Sequence, residues 1–142
     1  MFIGEFHHSL DDKGRLSIPA KFRATLAEGA VVTRGLDKTL FLYQKSEWEK
    51  LAGKIAALPL GQSDTRAFAR LMLAGAMECE IDKAGRVVLP EYLRSYAALS
   101  KNVVITGLYD RLEIWDEDAW NTYATQTAQS GNDIAERLGS VI

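Results

Sequence analysis

The chain has 142 residues, 47% of them hydrophobic and 25% charged, with a formal net charge of −2. That composition describes an ordinary globular chain, long enough for one full core or two fused halves, and it excludes disorder except in the stretch after Ser130. The slightly acidic balance excludes a wholly basic nucleic-acid coat, so any contact with a polyanion must be local; the apolar run Leu71 to Met77 falls far short of the roughly 20 residues a membrane span needs, and no membrane partner is expected.

Met1 to Glu5 lacks the positive start of a signal peptide, so a cytoplasmic protein is expected. Phe6 to Asp11 alternates apolar and polar apart from His8, which is the period of a half-buried strand. His7 and His8 are strand neighbours and face opposite sides, which prevents joint chelation, and the further ligands that zinc requires are missing, so no metal site is expected. Asp12-Lys13-Gly14 supplies residues that tolerate positive φ in a tight connection. Leu16-Ser17-Ile18 then resumes the same phase, so a hairpin is expected. Pro19 ends the strand and suits the first turn of a short helix with Phe22 and Leu26 on its inner face. Val31 to Thr33 and Leu40 to Tyr43 read as the next two strands, around a Gly35 turn. Ser46-Glu47-Trp48-Glu49 has capping-box spacing, and Trp48, Leu51, Ile55 and Leu58 recur at helical intervals until Pro59 and Gly61. A second helix is expected from Asp64 to Ala74, with Phe68, Leu71 and Met72 inward.

The same order then recurs. Met77 to Asp82 alternates, with the single Cys79 reading as a small core residue that has no partner for an internal disulfide. Lys83-Ala84-Gly85 leads into Val87-Val88-Leu89, and Pro90 opens a helix with Leu93 and Ala97 inward. Val103 to Thr106 and Leu112 to Trp115 flank Gly107, and Asp116 to Trp120 leads a C-terminal helix broken near Gly131-Asn132. Ile134 and Leu138 lie four apart, as in a short amphipathic helix.

The recurrence is a duplication. At an offset of 71, Gly4, Phe6, His8, Leu10, Phe22 and Arg23 fall on Gly75, Met77, Cys79, Ile81, Leu93 and Arg94; at 72, Val31-Val32, Gly35-Leu36, Leu40, Leu42, Tyr43 and Trp48 fall on Val103-Val104, Gly107-Leu108, Leu112, Ile114, Trp115 and Trp120. Units related in this way fold alike and stack their apolar faces. A half of about 70 residues is marginal alone, because small domains bury a smaller fraction of their surface, and mutual burial is the remedy. Asp11-x-x-x-Arg15 and Asp82-x-x-x-Arg86, each bracketing a glycine turn, place one oriented guanidinium at each of two equivalent tips.

A tandem pair of such hairpins, each followed by a proline and an Arg four residues later and then by Gly-Leu and a helix bearing Trp, resembles the MraZ family of bacterial transcriptional regulators. The likeness runs from Met1-Phe2 through Asp37, Trp48, Arg66, Asp82-Lys83, Gly85-Arg86 and Glu113-Ile114-Trp115 to Trp120. Each half also resembles the AbrB and MazE swapped-hairpin module. The resemblance implies an α+β fold with a β-rich core, a pseudo-twofold interleaved swapped-hairpin β-barrel of AbrB type with peripheral helices, in which residues 1–76 form the first repeat and 77–142 the second. It further implies a ring-shaped homo-oligomer, associated with the nucleoid, that binds double-stranded DNA at direct repeats in the promoter of the division and cell-wall gene cluster. No cofactor and no small-molecule substrate are expected. Tyr109-Asp110-Arg111 departs from the usual Gly/Asn-rich stretch of the family, and nothing is carried over beyond Ser130.

The chemistry suits that implication. A two-stranded ribbon fits the major groove. Arg15 and Arg86, each held by the carboxylate four residues back, Asp11 or Asp82, lose less freedom on docking and present a fork to guanine O6 and N7. Lys13, Lys83, Lys21, Arg23 and Arg94 are expected to touch phosphates. Lys13 faces Ala84 in the alignment of the repeats, so the tips are unequal. A surface ion pair that merely stiffens a turn is worth at most about 1 kcal/mol, and the duplication argues against so plain a role. Linked subunits on repeated DNA elements would add affinity through effective concentration, and head-to-tail contacts between non-identical halves close into rings. Trp48, Trp115 and Trp120 fit core or subunit contacts better than base stacking. The competing reading is an antitoxin-like module that uses the same barrel to hold another protein; no nucleophile, phosphate loop or acid–base set points to an enzyme.

Overall fold

The computed structural model describes residues 1–141; Ile142, the last residue of the expected second repeat, lies outside the described residues. The alternating segments become strands: β1 (Phe2–Ser9), β2 (Arg15–Ser17), β3 (Ala30–Arg34) and β4 (Leu40–Gln44) in the first repeat, β5 (Met77–Cys79), β6 (Arg86–Val88), β7 (Asn102–Tyr109) and β8 (Leu112–Asp116) in the second. Short helices α1 (Ala20–Leu26) and α4 (Glu91–Tyr96) follow Pro19 and Pro90, which stand at their N-cap positions. The first repeat ends with α2 (Lys45–Ala56), α3 (Ser63–Ala69) and a π-helical turn at Arg70–Ala74; α5 (Glu117–Gln129) and α6 (Gly131–Arg137) complete the second. The class is α+β, with a six-stranded sheet in the order β1-β7-β8-β4-β3-β5 and a separate two-stranded ribbon, β2-β6, all pairs antiparallel. The large sheet has β1 and β5 as its outer strands, so among the described residues the ladder is open and does not close into a barrel.

Exchanging equivalent strands, β1 with β5, β3 with β7 and β4 with β8, reverses the sheet order onto itself. The register gives the same symmetry residue by residue. In the ribbon Leu16 faces its own counterpart Val87, flanked by Arg15↔Val88 and Ser17↔Arg86; in the large sheet Phe41 faces its counterpart Glu113, flanked by Leu40↔Ile114 and Leu42↔Leu112. A pseudo-twofold axis therefore passes through the midpoints of both central pairs.

The expected local hairpins form only at their turns. Leu10 bridges Leu16, but β1 then leaves to pair along its length with β7, while β5 pairs with β3. Each repeat's first strand thus completes the other repeat's sheet. Length explains the choice: a three-residue β2 could satisfy little of the backbone of β1, whereas the eight residues of β7 match it throughout.

The main core draws on both repeats. Leu16, Ile18, Phe22, Leu26, Leu40 and Leu42 pack with Val87, Leu89, Leu93, Val103, Leu112 and Ile114, each of which stabilises the fold by roughly 1.5–3 kcal/mol if fully removed from water. Phe2 and Phe6 meet the Phe22 ring edge-on at 5.1 and 5.3 Å. On the opposite face of β4, Phe41 and Tyr43 pack with Ile55, Met72, Trp48 and Leu51, and Trp115 of β8 meets Trp120 and Tyr123 of α5 at 5.3 and 5.1 Å. The tryptophans thus serve packing, as their spacing suggests.

Three local expectations change. Lys45 already begins α2 directly after β4, so Ser46 sits inside the helix and makes no cap. The helix expected from Asp64 to Ala74 becomes π-helical from Arg70, and of its expected inward residues Met72 is buried, Leu71 half-buried and Phe68 exposed. The widened turn lets the Met72 carbonyl accept a hydrogen bond from the buried Thr33 hydroxyl at 2.6 Å. In the tail the break falls at Ser130, leaving Leu138 43% exposed.

Candidate nucleic-acid interface

Both tips are built by one carboxylate. Asp11 Oδ1 accepts the backbone N–H groups of Lys13 at 2.9 Å and Arg15 at 2.8 Å, and its Oδ2 accepts Arg15 Nε–H at 2.5 Å. Asp82 repeats the set with Ala84 at 2.9 Å, the Arg86 backbone at 2.9 Å and Arg86 Nε–H at 3.0 Å. The turn closes through Gly14 N–H to the Asp11 carbonyl at 3.0 Å and Gly85 N–H to the Asp82 carbonyl at 2.9 Å, with φ of +77° and +79° at the glycines, a region that only glycine occupies without strain. These bonds favour the charged carboxylate. The backbone N–H of Arg15 leads in holding the Asp11 carboxyl below its usual range, as does that of Arg86 for Asp82, with the guanidinium of the same residue adding to each. Since the folded-state values are depressed, this support is full above about pH 3.9 and is lost as pH falls through the folded values.

Strand alternation sorts the ribbon into two faces. Leu16 and Val87 are buried beneath it, while Arg15, Ser17, Arg86 and Val88 point outward, the two arginine side chains about a third exposed and Val88 55% exposed. Arg15 lies opposite Val88 and Arg86 opposite Ser17, so the guanidinium-bearing residues are diagonal neighbours, roughly 7–8 Å apart on one surface. Each Nε is tied to a carboxylate, leaving the terminal nitrogens of the fork for an outside acceptor. Ser17 and Val88 were not among the residues singled out from the sequence. Counting two along the strand from Arg15 and from Arg86 finds them.

The other basic residues separate. Lys13 and Lys83 are exposed on the turns. Lys21 is exposed on α1, with its ammonium 5.5 and 5.4 Å from the Phe6 and Phe22 ring centroids. Arg23 and Arg94 turn back toward the fold: Arg23 Nε–H donates to the Ile18 carbonyl and Arg94 Nε–H to the Leu89 carbonyl, both at 2.9 Å. The surroundings of the turns also differ. Ser9, before the first, shares a cleft with Arg94, Ser100 and Lys101, whereas its counterpart Glu80 shares one with Glu28, Glu78 and Lys45. Near Arg23, the half-buried His8 has its pKa lowered by burial first and then by the Arg23 charge.

The two-copy geometry agrees with what the whole sequence matches. The family model described as "MraZ protein, putative antitoxin-like" matches twice, over residues 1–71 and 72–140. The chain belongs to the MraZ family. It is similar to proteins named "Transcriptional regulator MraZ" from Natranaerobius thermophilus, at 54% identity, and from Carboxydothermus hydrogenoformans and Oenococcus oeni, each at 50%; every one of these alignments covers 97% of this chain and 96% of the relative. The name these MraZ relatives carry is that of a regulator and not of an enzyme. The division at 71/72 falls in the π-helical turn, five residues before β5 of the second MraZ repeat.

Proposed function

We propose that this chain is a sequence-specific DNA-binding transcriptional regulator that reads the major groove with the outward face of the β2–β6 ribbon. The observation that carries this reading is the pair of carboxylate-anchored guanidiniums in diagonal register on one exposed surface. Arg15 and Arg86 read bases, Asp11 and Asp82 hold them, and Lys13 and Lys83 on the turns contact phosphate, with Lys21 more distant on α1. Residues 1–76 and 77–142 act as two copies of an AbrB-like swapped-hairpin module fused in one unit. The target is a promoter with direct repeats, that of the division and cell-wall gene cluster, engaged at the nucleoid by a ring of subunits. The apolar cross-strand pair Ile3 and Leu108, 52% and 40% exposed, supports such assembly.

The test is a fluorescence-anisotropy titration of a repeat-containing promoter fragment, with assembly followed by light scattering. Arg15→Ala and Arg86→Ala should each weaken specific binding by roughly 1–3 kcal/mol per subunit contact while leaving assembly unchanged. Wild-type affinity in both variants would overturn the reading.

A further inference from the structure

Arg23 and Arg94 match in the two repeats, yet neither lies over its own repeat's turn. A Cβ built on Gly14 would come within 2.9 Å of Arg94 Nε and 2.8 Å of the Leu89 carbonyl, and one built on Gly85 would collide with Arg23 Nε and Cζ. The contact is crossed: the arginine of α4 lies against the first turn, and the arginine of α1 against the second. Backbone hydrogen bonds cross in the same way, Leu89 N–H to the Gly14 carbonyl at 2.8 Å and Ile18 N–H to the Gly85 carbonyl at 2.9 Å. The carbonyls of Ile18 and Leu89 accept the arginine Nε–H groups at 2.9 Å, so each guanidinium is fixed at one edge while its Nε and Cζ lie against a glycine, where an added Cβ would press on them.

We propose that Arg23 and Arg94 are positioning residues, each clamping the reading turn of the other repeat. On the proposed DNA reading, their effect on binding passes through Arg86 and Arg15 respectively. A lysine at either position would keep the charge but lose the planar group and the Nε–H donor. A phosphate contact needs little more than charge at the right place. The two roles therefore separate under Arg→Lys.

Two measurements on the full chain decide it. In hydrogen-exchange mass spectrometry without DNA, Arg94→Lys should speed exchange in peptides covering 11–16 and leave 82–87 at the wild-type rate, and Arg23→Lys should do the reverse. Acceleration confined to the substituted residue's own repeat, or no acceleration, overturns the clamp. In anisotropy titrations across salt, both lysine variants should lose about tenfold in affinity for the promoter fragment while the slope of log K against log salt stays at its wild-type value. Wild-type binding by the lysine variants, with a slope reduced by about 0.9 per phosphate lost in Arg23→Gln or Arg94→Gln, would make them phosphate contacts and overturn the proposal. Should Arg15→Ala and Arg86→Ala bind normally, the DNA reading fails, and the exchange measurement still decides the clamp.

Discussion

Leu16→Ala probes the pseudo-twofold centre, because Leu16 is fully buried beneath the ribbon opposite its own counterpart, Val87. The change removes three carbons, a loss of about 2.4 kcal/mol at about 0.8 kcal/mol each. The hole left under a two-stranded ribbon adds a cavity term of about 24 cal/mol per Å³, which brings the cost to about 3–4 kcal/mol, within the range for such truncations. That is a large share of a typical domain stability of about 5–15 kcal/mol. Urea unfolding at fixed protein concentration, followed by tryptophan fluorescence, should show one transition whose midpoint falls by about 1.5–2 M for a slope near 2 kcal/mol/M. Hydrogen exchange should accelerate as much in the peptide covering 82–89 as in that covering 11–18, since Ile18 N–H and Leu89 N–H are both bonded to the opposite turn. Loosening confined to 11–18, or a second transition, would refute the idea that the ribbon ties the repeats into one unit.

The two histidines should titrate apart. His7 has its pKa raised, chiefly by the hydrogen bond to Glu5, with burial opposing it and Glu117 adding to the rise; its contacts stabilise the fold fully below about pH 6.5 and are lost as pH rises through the folded value. His8, lowered by burial, contributes stability above about pH 6.5 that is lost as pH falls through its folded value. Imidazole resonances with a common midpoint would contradict these two environments, and Glu5→Gln should move His7 alone. Burial pushes the Cys79 thiol up to about 11. At pH 8 about one thiol in a thousand is then ionised, against about a quarter for a free thiol, so alkylation of the native protein should be roughly 250-fold slower than in urea, and equal rates would contradict the burial.

Which residues face inward was legible from the sequence, because alternation and helical spacing report burial directly: Leu16, Ile18, Phe22, Leu26 and their counterparts all sit in the core. Which strand lies beside which was not. Alternation in Phe6 to Asp11 is the same whether β1 pairs with β2 or with β7, and the glycine turn between β1 and β2 suggested the local partner. The carboxylate-to-arginine bonds at the tips were legible because they are local, spanning four residues. The approach of Arg23 to Gly85 spans 62 positions and leaves no periodic trace, so from the sequence an arginine on the short helix α1 offered a phosphate contact or a solvated charge and not a packing role against the other repeat's turn. Ser46 misled for a related reason. The capping-box spacing was present, but β4 runs straight into α2 so that Gln44 takes the N-cap position, without a side-chain cap, and Ser46 already lies inside the helix.

Fusing two copies into one chain changes what a twofold reader can recognise. A dimer of identical modules must present identical tips, and protein twofold symmetry is then mirrored by a palindromic site. Here the backbone keeps the symmetry, as the central pairs Leu16↔Val87 and Phe41↔Glu113 record, while the outward positions have diverged: Lys13 against Ala84, Asp12 against Lys83, Ser17 against Val88. A hydroxyl beside Arg86 and an exposed isopropyl group beside Arg15 offer different contacts, a hydrogen bond in one case and a thymine methyl in the other. On the proposed reading the face therefore has a direction along the duplex. Elements repeated head to tail then set every subunit the same way round, which a palindrome would not do.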